Sequence, residues 1–224
     1  MKQLNHRTRW QLFLLSASVL AGTIKALSVT KGFGDNDFFW QSVLGQYILQ
    51  NRMIPTQDIF SWISIEKGYA ETAHSWLGSL IIYFFSKIFN NGIYGGLLYT
   101  GITVSILSYL LMRWYGLPFD KENPVCDFLN GFYTLAVGLF ACLTHMTARP
   151  LNIGLILFLI SVFLEIDAYE NQDSKKWLLL PIISLCWANM HGGSVPILFA
   201  FNAAYIVISL LPSFNFLGIS QEKS

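Results

Sequence analysis

Long apolar runs separated by short polar stretches dominate this chain. The runs occupy residues 10–28, 92–114, 128–146, 151–168, 177–190 and 195–211. An α-helix needs about 20 apolar residues to cross the hydrocarbon core of a bilayer. A further apolar run at residues 76–89 reaches only about 20 Å at 1.5 Å per residue and falls short of a crossing. The pattern predicts an all-α, polytopic membrane bundle with about six spanning helices in a single transmembrane domain, residues 1–224.

The longest polar interruption, residues 29–76, follows the first apolar run. Its segment 37–51 has apolar side chains at i, i+3, i+4, i+7 and i+8, which is typical of an amphipathic helix lying in the membrane interface. These residues are Trp40, Val43, Leu44, Tyr47 and Ile48. Asp35 and Asp37 stand at its start, where acids cap helices, and Ile54-Pro55 ends it.

The distribution of basic residues predicts the orientation of the chain. Lys2, Arg7 and Arg9 precede the first run, which has no small-residue cleavage site and is expected to be a retained helix with a cytoplasmic N-terminus. If the run 76–89 is interfacial or re-entrant, more Lys and Arg residues face the cytoplasm than if it crosses. The loop 29–76 is therefore expected to be extracytoplasmic, in a multi-pass protein of the inner or plasma membrane.

This orientation places several polar side chains at the same, extracytoplasmic face. They are Asp35, Asp37, Asp58, His74, Arg149, Asn189 and His191. Polar and ionisable groups close to hydrocarbon usually pair with one another or line a path for a ligand. Their convergence predicts a functional site.

Each of these residue types suits a particular chemistry. Asp35 and Asp37 are candidates for a general base or for ligands of a divalent metal such as Mg or Mn. Arg149 is suited to binding a phosphate, and Asn189 and His191 precede two glycines whose backbone amides can approach a ligand. Structural roles stay open for every one of them: helix capping by the acids, a lipid headgroup contact by the arginine, and helix-end packing by the histidines.

Composition narrows the function classes further. Charged residues make up only 12% of the chain and the net charge is +1, so nucleic acid is not an expected partner, whereas membrane lipid is. Three isolated cysteines give neither a disulfide framework nor a structural zinc pattern. The sequence contains no P-loop, no HExxH and no GxSxG, so nucleotide-driven transport and the common hydrolase mechanisms have no support.

The order of several short motifs resembles a known group of proteins. The motifs are DNDFFWQ at 35–41, GQYILQNRMIPTQDIFSW at 45–62, HSWL at 74–77, ARPL at 148–151 and WANMHGG at 187–193. Together they resemble the N-terminal half of bacterial multi-pass membrane proteins allied to the GT-C glycosyltransferases, and the resemblance covers about residues 10–212. Where that group usually has a histidine after the tryptophan, this chain has Gln41.

The resemblance implies a GT-C-like module of the bacterial cell envelope that uses a polyprenyl-phosphate sugar donor at the outer face. It implies that Asp37, or Asp35, is the base or a metal ligand. His74 would stand at the opening of the helix after the loop, and Arg149 would bind the donor phosphate. The resemblance therefore implies a transferase. Because members of the group are usually longer, a shortened and inactive copy is the other expectation that the resemblance leaves open. A non-catalytic assembly subunit and a transporter or flippase-like carrier stay open as alternatives.

Overall fold

A computed structural model describes residues 6–29, 36–70, 73–115 and 147–210. The helices in these ranges are α1 (His6–Val29), α2 (Asn36–Asn51), α3 (Trp62–Lys67), α4 (Trp76–Ile88), α5 (Gly92–Tyr115), α6 (Leu151–Glu170), α7 (Ser174–Trp177), α8 (Leu179–His191) and α9 (Val195–Leu210), with a 3-10 turn at Gly192–Ser194. The only β pairing within the described residues is an isolated bridge between Gln57 and Ala70. The predicted all-α class is therefore confirmed.

Three stretches are long and apolar enough to cross a membrane: Gly92–Met112, Leu151–Tyr169 and Lys175–Ile197. Two shorter apolar helical stretches, Leu12–Ser28 and Trp76–Ile88, accompany them. The predicted span at 128–146 lies outside the described residues. Three candidate spans indicate a membrane protein, and the predicted total of six spans stays a prediction.

Helices α1 and α5 pack closely and run antiparallel. A Cβ atom on Gly101 of α5 would lie 3.5 Å from Cβ of Ala26, and one on Gly22 would lie 3.1 Å from the backbone nitrogen of Ser105. Small residues let helix backbones approach each other, and in a membrane such contacts replace the hydrophobic driving force. The C-terminal end of α1 therefore lies beside the N-terminal end of α5.

Helix α6 runs parallel to α5. Asn152, near the start of α6, donates a hydrogen bond to the Thr103 hydroxyl at 3.2 Å, and one turn further Ile156 packs with Val104 and Leu107. Helix α8 runs back along α6, because Trp187 packs against Phe158 with ring centroids 6.0 Å apart while Met190, further along α8, lies near Pro150, which precedes α6. The end of α1, the starts of α5 and α6 and the end of α8 consequently lie at one end of the bundle, which we name the site end.

A second core cluster lies at the site end. Phe38 of α2, Ile82 of α4, Tyr99 of α5 and Ala148 before α6 are almost completely buried against one another. Each comes from a different segment, so this cluster fixes the positions of four chain segments at once. It also sets the side chains that follow these residues close together, as described below.

The apolar stripe predicted for α2 and the face of α2 that packs against other helices are not the same. Leu44 and Ile48 of the stripe are buried, whereas Val43 is 51% exposed and Gln41, outside the stripe, is buried. The reason is the contact with α4, where a Cβ atom on Gly45 would lie 2.7 Å from the Ser79 carbonyl carbon and 2.7 Å from Cβ of Tyr83. The face that packs is thus chosen by a glycine and short polar side chains, and α2 keeps apolar residues on its outer face.

Candidate functional site

The N-terminal part of α4 is wedged between two other segments at the site end. A Cβ atom on Gly78 would lie 2.6 Å from Cβ of Pro150 and 2.8 Å from the carbonyl oxygen of Met190. Real side chains do not approach that closely, so only glycine fits between the start of α6 and the end of α8. This packing brings Arg149 and His191, the neighbours of Pro150 and Met190, to the beginning of α4.

An ion pair joins two of the predicted site residues. The Arg149 guanidinium lies 3.2 Å from a carboxylate oxygen of Asp37, and the side chains are 46% and 44% exposed. The indole N–H of Trp40, one turn along α2, donates to the other Asp37 oxygen at 3.4 Å. An ion pair this open to solvent contributes little to stability, about 1 kcal/mol at most. The pair therefore presents an anion-binding cation beside a carboxylate at an accessible surface.

The backbone around Arg149 is held by buried side chains. The Tyr99 hydroxyl donates to the Arg149 carbonyl oxygen at 2.7 Å, and the Asn152 amide donates to the Thr147 carbonyl oxygen at 2.7 Å. Pro150 directly precedes α6, a position that suits proline because the first helical N–H groups have no partner within the helix. The guanidinium is thus carried on a fixed backbone while its side chain reaches solvent.

The two histidines face each other beside this pair. The rings of His74 and His191 are 6.2 Å apart between centroids in an edge-to-face arrangement. The N–H of Gly192 donates to the His74 carbonyl oxygen at 3.3 Å, which ties the end of α8 to the residues before α4. Pro150 and Met190 both lie against Gly78, so their neighbours Arg149 and His191 come to the same part of α4.

One ring nitrogen of His191 is chemically unsatisfied. Its Nδ1 is buried and has no hydrogen-bond partner among the described residues. The backbone of His191 is fixed independently of its ring, because the Ser194 hydroxyl donates to its carbonyl oxygen at 2.9 Å and the Trp187 indole donates to Ser194 at 2.6 Å. The position of the ring is therefore set by the end of α8, and this nitrogen is enclosed by protein.

Asn189 is held at the same end by a tryptophan. The indole N–H of Trp76 donates to its side-chain oxygen at 2.6 Å, and its amide donates to the Leu185 carbonyl oxygen at 2.7 Å. Both polar groups of this amide thus have partners within the protein. Asn189 links α8 to α4, which makes it a positioning residue for the neighbouring His191.

Sequence reasoning missed a buried polar network beneath the histidines. The Gln41 amide donates to the Ser75 hydroxyl at 3.0 Å, and its side-chain oxygen accepts from the Ser79 hydroxyl, with all three side chains buried. The Ser79 hydroxyl lies within 3.0 Å of the Ser75 carbonyl oxygen as well. The sequence feature that could have revealed this network is the glutamine at position 41, which lies on the buried face of α2. The network fixes the turn that carries His74.

Of the two remaining predicted residues, Asp35 and Asp58, the structure describes only Asp58. A carboxylate oxygen of Asp58 accepts hydrogen bonds from the backbone N–H groups of Phe60 and Ser61, at 2.8 and 3.1 Å, in the turn that leads into α3. Short acidic side chains commonly stabilise such turns. Asp58 therefore has a local structural role, and Asp35 lies outside the described residues.

The described residues do not offer a metal site. They contain no group of three or more His, Cys, Asp or Glu side chains placed to hold an ion. Asp37, the described member of the predicted Asp35 and Asp37 pair, has the Arg149 guanidinium at 3.2 Å, and a cation there opposes a second one. The geometry instead suits an anionic ligand that binds the guanidinium.

A small cavity lies next to the histidine pair. Its walls include Trp40, Phe60, His74 and Ser75, and its volume of about 10 Å³ has room for roughly one water molecule. A sugar ring does not fit there. A larger ligand would have to lie on the open surface that Asp37 and Arg149 share.

Comparisons with known proteins gave no match: no family model, no curated protein and no solved structure is similar to this chain.

Proposed function

We propose that this chain is a membrane glycosyltransferase of the GT-C type. It transfers a sugar from a polyprenyl-phosphate donor to an acceptor hydroxyl at the extracytoplasmic face of a bacterial membrane, in a bundle of six spanning helices. One observation carries the proposal: the helix packing joins Asp37 to Arg149 at 3.2 Å and brings the facing rings of His74 and His191 to the same end of the bundle, which contains three stretches apolar enough for a bilayer.

Arg149 is the group that binds the donor phosphate. A guanidinium forms two parallel hydrogen bonds to phosphate oxygens and keeps its charge at any physiological pH. Its backbone is fixed by the Tyr99 hydroxyl at 2.7 Å, so the cation is positioned before the donor arrives. A cation placed where negative charge develops on a leaving phosphate lowers the barrier to its departure.

Asp37 is the general base. Its carboxylate takes the proton of the acceptor hydroxyl as the acceptor oxygen bonds to the anomeric carbon of the sugar. At the same time the bond from that carbon to the phosphate oxygen breaks. The polyprenyl phosphate leaves with the bonding electrons, and the Arg149 guanidinium pairs with its negative charge. Charge and atoms balance without a metal, a redox partner or a nucleotide.

His74 and His191 are suited to hold sugar hydroxyls. An imidazole carries one donor and one acceptor nitrogen when neutral, which matches a hydroxyl that both gives and receives a hydrogen bond. The two rings lie 6.2 Å apart between centroids, which is close enough for both to contact one sugar ring. The donor's apolar chain would remain in the membrane beside the three candidate spans.

The ion pair adds a step to donor binding. Because Asp37 occupies the guanidinium at 3.2 Å, an incoming phosphate competes with the carboxylate for Arg149. When the phosphate displaces the carboxylate from the guanidinium, the carboxylate is released next to the reacting centre. Binding of the donor thereby produces the free base that the reaction needs.

A complementation experiment in the host tests the proposal. The gene is deleted, and the deletion strain receives the wild-type chain, Asp37→Asn or Asp167→Asn, with membrane insertion checked by immunoblot of washed membranes. Asp167 pairs with Lys176 beyond the other end of α6, so Asp167→Asn makes the same chemical change away from the site. Mass spectrometry of the envelope glycans and lipids then identifies the sugar that the deletion strain lacks and shows which variants restore it.

We expect Asp167→Asn to restore the wild-type glycan and Asp37→Asn to leave the deletion profile, at a loss of at least about 100-fold, as is typical when a general base is removed. A wild-type glycan profile in the Asp37→Asn strain would show that Asp37 is not the general base. A deletion strain that lacks no glycan, but fails to move a lipid-linked sugar across the membrane, would favour the carrier.

A further inference from the structure

An open apolar groove lies at the other end of α2, away from the ion pair. It has a volume of about 400 Å³, within the usual range of small-molecule sites. Its lining combines apolar side chains with one cation: Ile48, Leu49, Arg52, Met53, Ile54 and Leu80. Leu49, Met53 and Ile54 are 61%, 51% and 40% exposed, so the groove is apolar and uncovered.

The arginine at this groove has an unusual backbone. Arg52 directly follows the last residue of α2 and has φ 53°, a left-handed conformation that glycine normally supplies at a helix end. A residue with a Cβ atom is disfavoured in that conformation, and such outliers often mark functional positions. The guanidinium has no hydrogen-bond or ion-pair partner in the part of the chain that the structure describes.

A purely structural role accounts for only part of this arrangement. A cation after the last turn of a helix interacts favourably with the negative end of the helix dipole. The dipole, however, gives no reason for three exposed apolar side chains around the cation. A cation bordered by apolar side chains is the pattern of a membrane interface, where the apolar groups enter the acyl region and the cation meets the phosphate.

We propose that the groove binds an anionic phospholipid of the surrounding membrane, with one acyl chain along Leu49, Ile54 and Leu80 and the lipid phosphate on the Arg52 guanidinium. The occupant follows from charge complementarity, since an unpaired cation at the rim of an apolar groove selects an amphiphile with an anionic head. The bound lipid fixes the C-terminal end of α2 at the headgroup level. This proposal does not depend on the transferase activity.

Thermal unfolding of the purified full chain in detergent micelles tests it. Phosphatidylglycerol or phosphatidylcholine is added at equal mole fraction, and bound lipid is counted by native mass spectrometry. We expect phosphatidylglycerol to raise the unfolding midpoint of the wild type more than phosphatidylcholine does. Arg52→Gln should weaken phosphatidylglycerol binding about fivefold, the factor that corresponds to about 1 kcal/mol for one basic side chain at an anionic surface.

Two further variants separate the site from general charge and from folding defects. Lys67→Gln removes a cation at the end of α3, where it lies over the Tyr69 ring, and should leave phosphatidylglycerol binding unchanged. Leu49→Ser with Ile54→Ser alters only exposed groove residues and should reduce binding while the chain stays folded without lipid.

Three outcomes would overturn the proposal. The first is equal stabilisation of the wild type by the two phospholipids. The second is an unchanged preference for phosphatidylglycerol over phosphatidylcholine in Arg52→Gln, or unchanged phosphatidylglycerol binding by the double serine variant. The third is stabilisation by farnesyl phosphate through Arg52 with none by phosphatidylglycerol, which would assign the groove to a prenyl phosphate instead.

Discussion

The close approach at Gly78 gives the sharpest test of how the site is assembled. In Gly78→Ala the new methyl group would lie 2.6 Å from Cβ of Pro150 and 2.8 Å from the Met190 carbonyl oxygen. Ordinary carbon contacts are about 3.5–4.0 Å, so α4 must move by roughly 1 Å. Neither a proline ring nor a helix carbonyl can rotate aside. A displacement of α4 away from α8 by that amount lengthens the hydrogen bond between Trp76 and Asn189 from 2.6 Å to roughly 3.6 Å, which breaks it.

The magnitude follows from two opposing effects. Overpacking costs about 1–3 kcal/mol, and the upper part of that range, about 2–3 kcal/mol, applies where neither contact can rotate aside; alanine recovers about 1 kcal/mol relative to glycine inside a helix. We therefore expect Gly78→Ala to lower the free energy of unfolding by about 1–2 kcal/mol, measured by titration from dodecyl maltoside into sodium dodecyl sulfate. Gly92→Ala is the matched control, because its methyl group would lie 3.6 Å from the nearest ring atoms of Phe38 and Phe39.

A second substitution shows whether the loss occurs at the site. Trp76→Phe removes the indole N–H that Asn189 accepts, and in the wild-type background it should cost about 1 kcal/mol. In the Gly78→Ala background the same change should cost almost nothing, because that hydrogen bond is already broken. Equal costs of Trp76→Phe in both backgrounds, or a Gly78→Ala variant as stable as Gly92→Ala, would refute the packing argument.

Three further outcomes follow from the same end of the bundle. Gln41→Leu should lower the free energy of unfolding by about 1–3 kcal/mol in the same titration, because it leaves two buried serine hydroxyls without their shared partner. Gln46→Leu, at a half-buried position, is the control and should change the free energy of unfolding little. Tyr99→Phe should lower the free energy of unfolding by about 1 kcal/mol and weaken phosphate binding by Arg149, measured as a weaker stabilisation by farnesyl phosphate. Unchanged stabilisation would show that the tyrosine does not position the cation. Single cysteines at Arg149 and Lys175, in a chain with its native cysteines replaced, should react with a membrane-impermeant maleimide from opposite faces, because α6 is 20 residues or about 30 Å long; labelling of both from one face would contradict the orientation.

The amino-acid sequence by itself determined the helical class and several helix positions. The predicted runs 92–114 and 151–168 correspond to the helices Gly92–Tyr115 and Leu151–Glu170. The short run 76–89 corresponds to Trp76–Ile88, which is too short to span. Composition and the lengths of apolar runs are local properties, and a bilayer leaves few alternatives to a helix for such runs. Glycine or proline marks some of the helix ends: Gly68 follows α3, Gly92 begins α5 and Pro150 precedes α6.

Only the tertiary structure decided which face of α2 is buried and which polar residues meet. Local periodicity groups Val43 with Leu44 and Ile48 on one stripe and cannot show that Gln41 is buried, because the packed face depends on the small residues that α2 and α4 present to each other. The sequence predicted a shared face for Asp37 and Arg149 but not their ion pair. It also gave no sign of the hydrogen bond between Trp76 and Asn189, which are 113 positions apart. Such contacts arise where backbones approach at glycines, and that approach is a property of the assembled bundle.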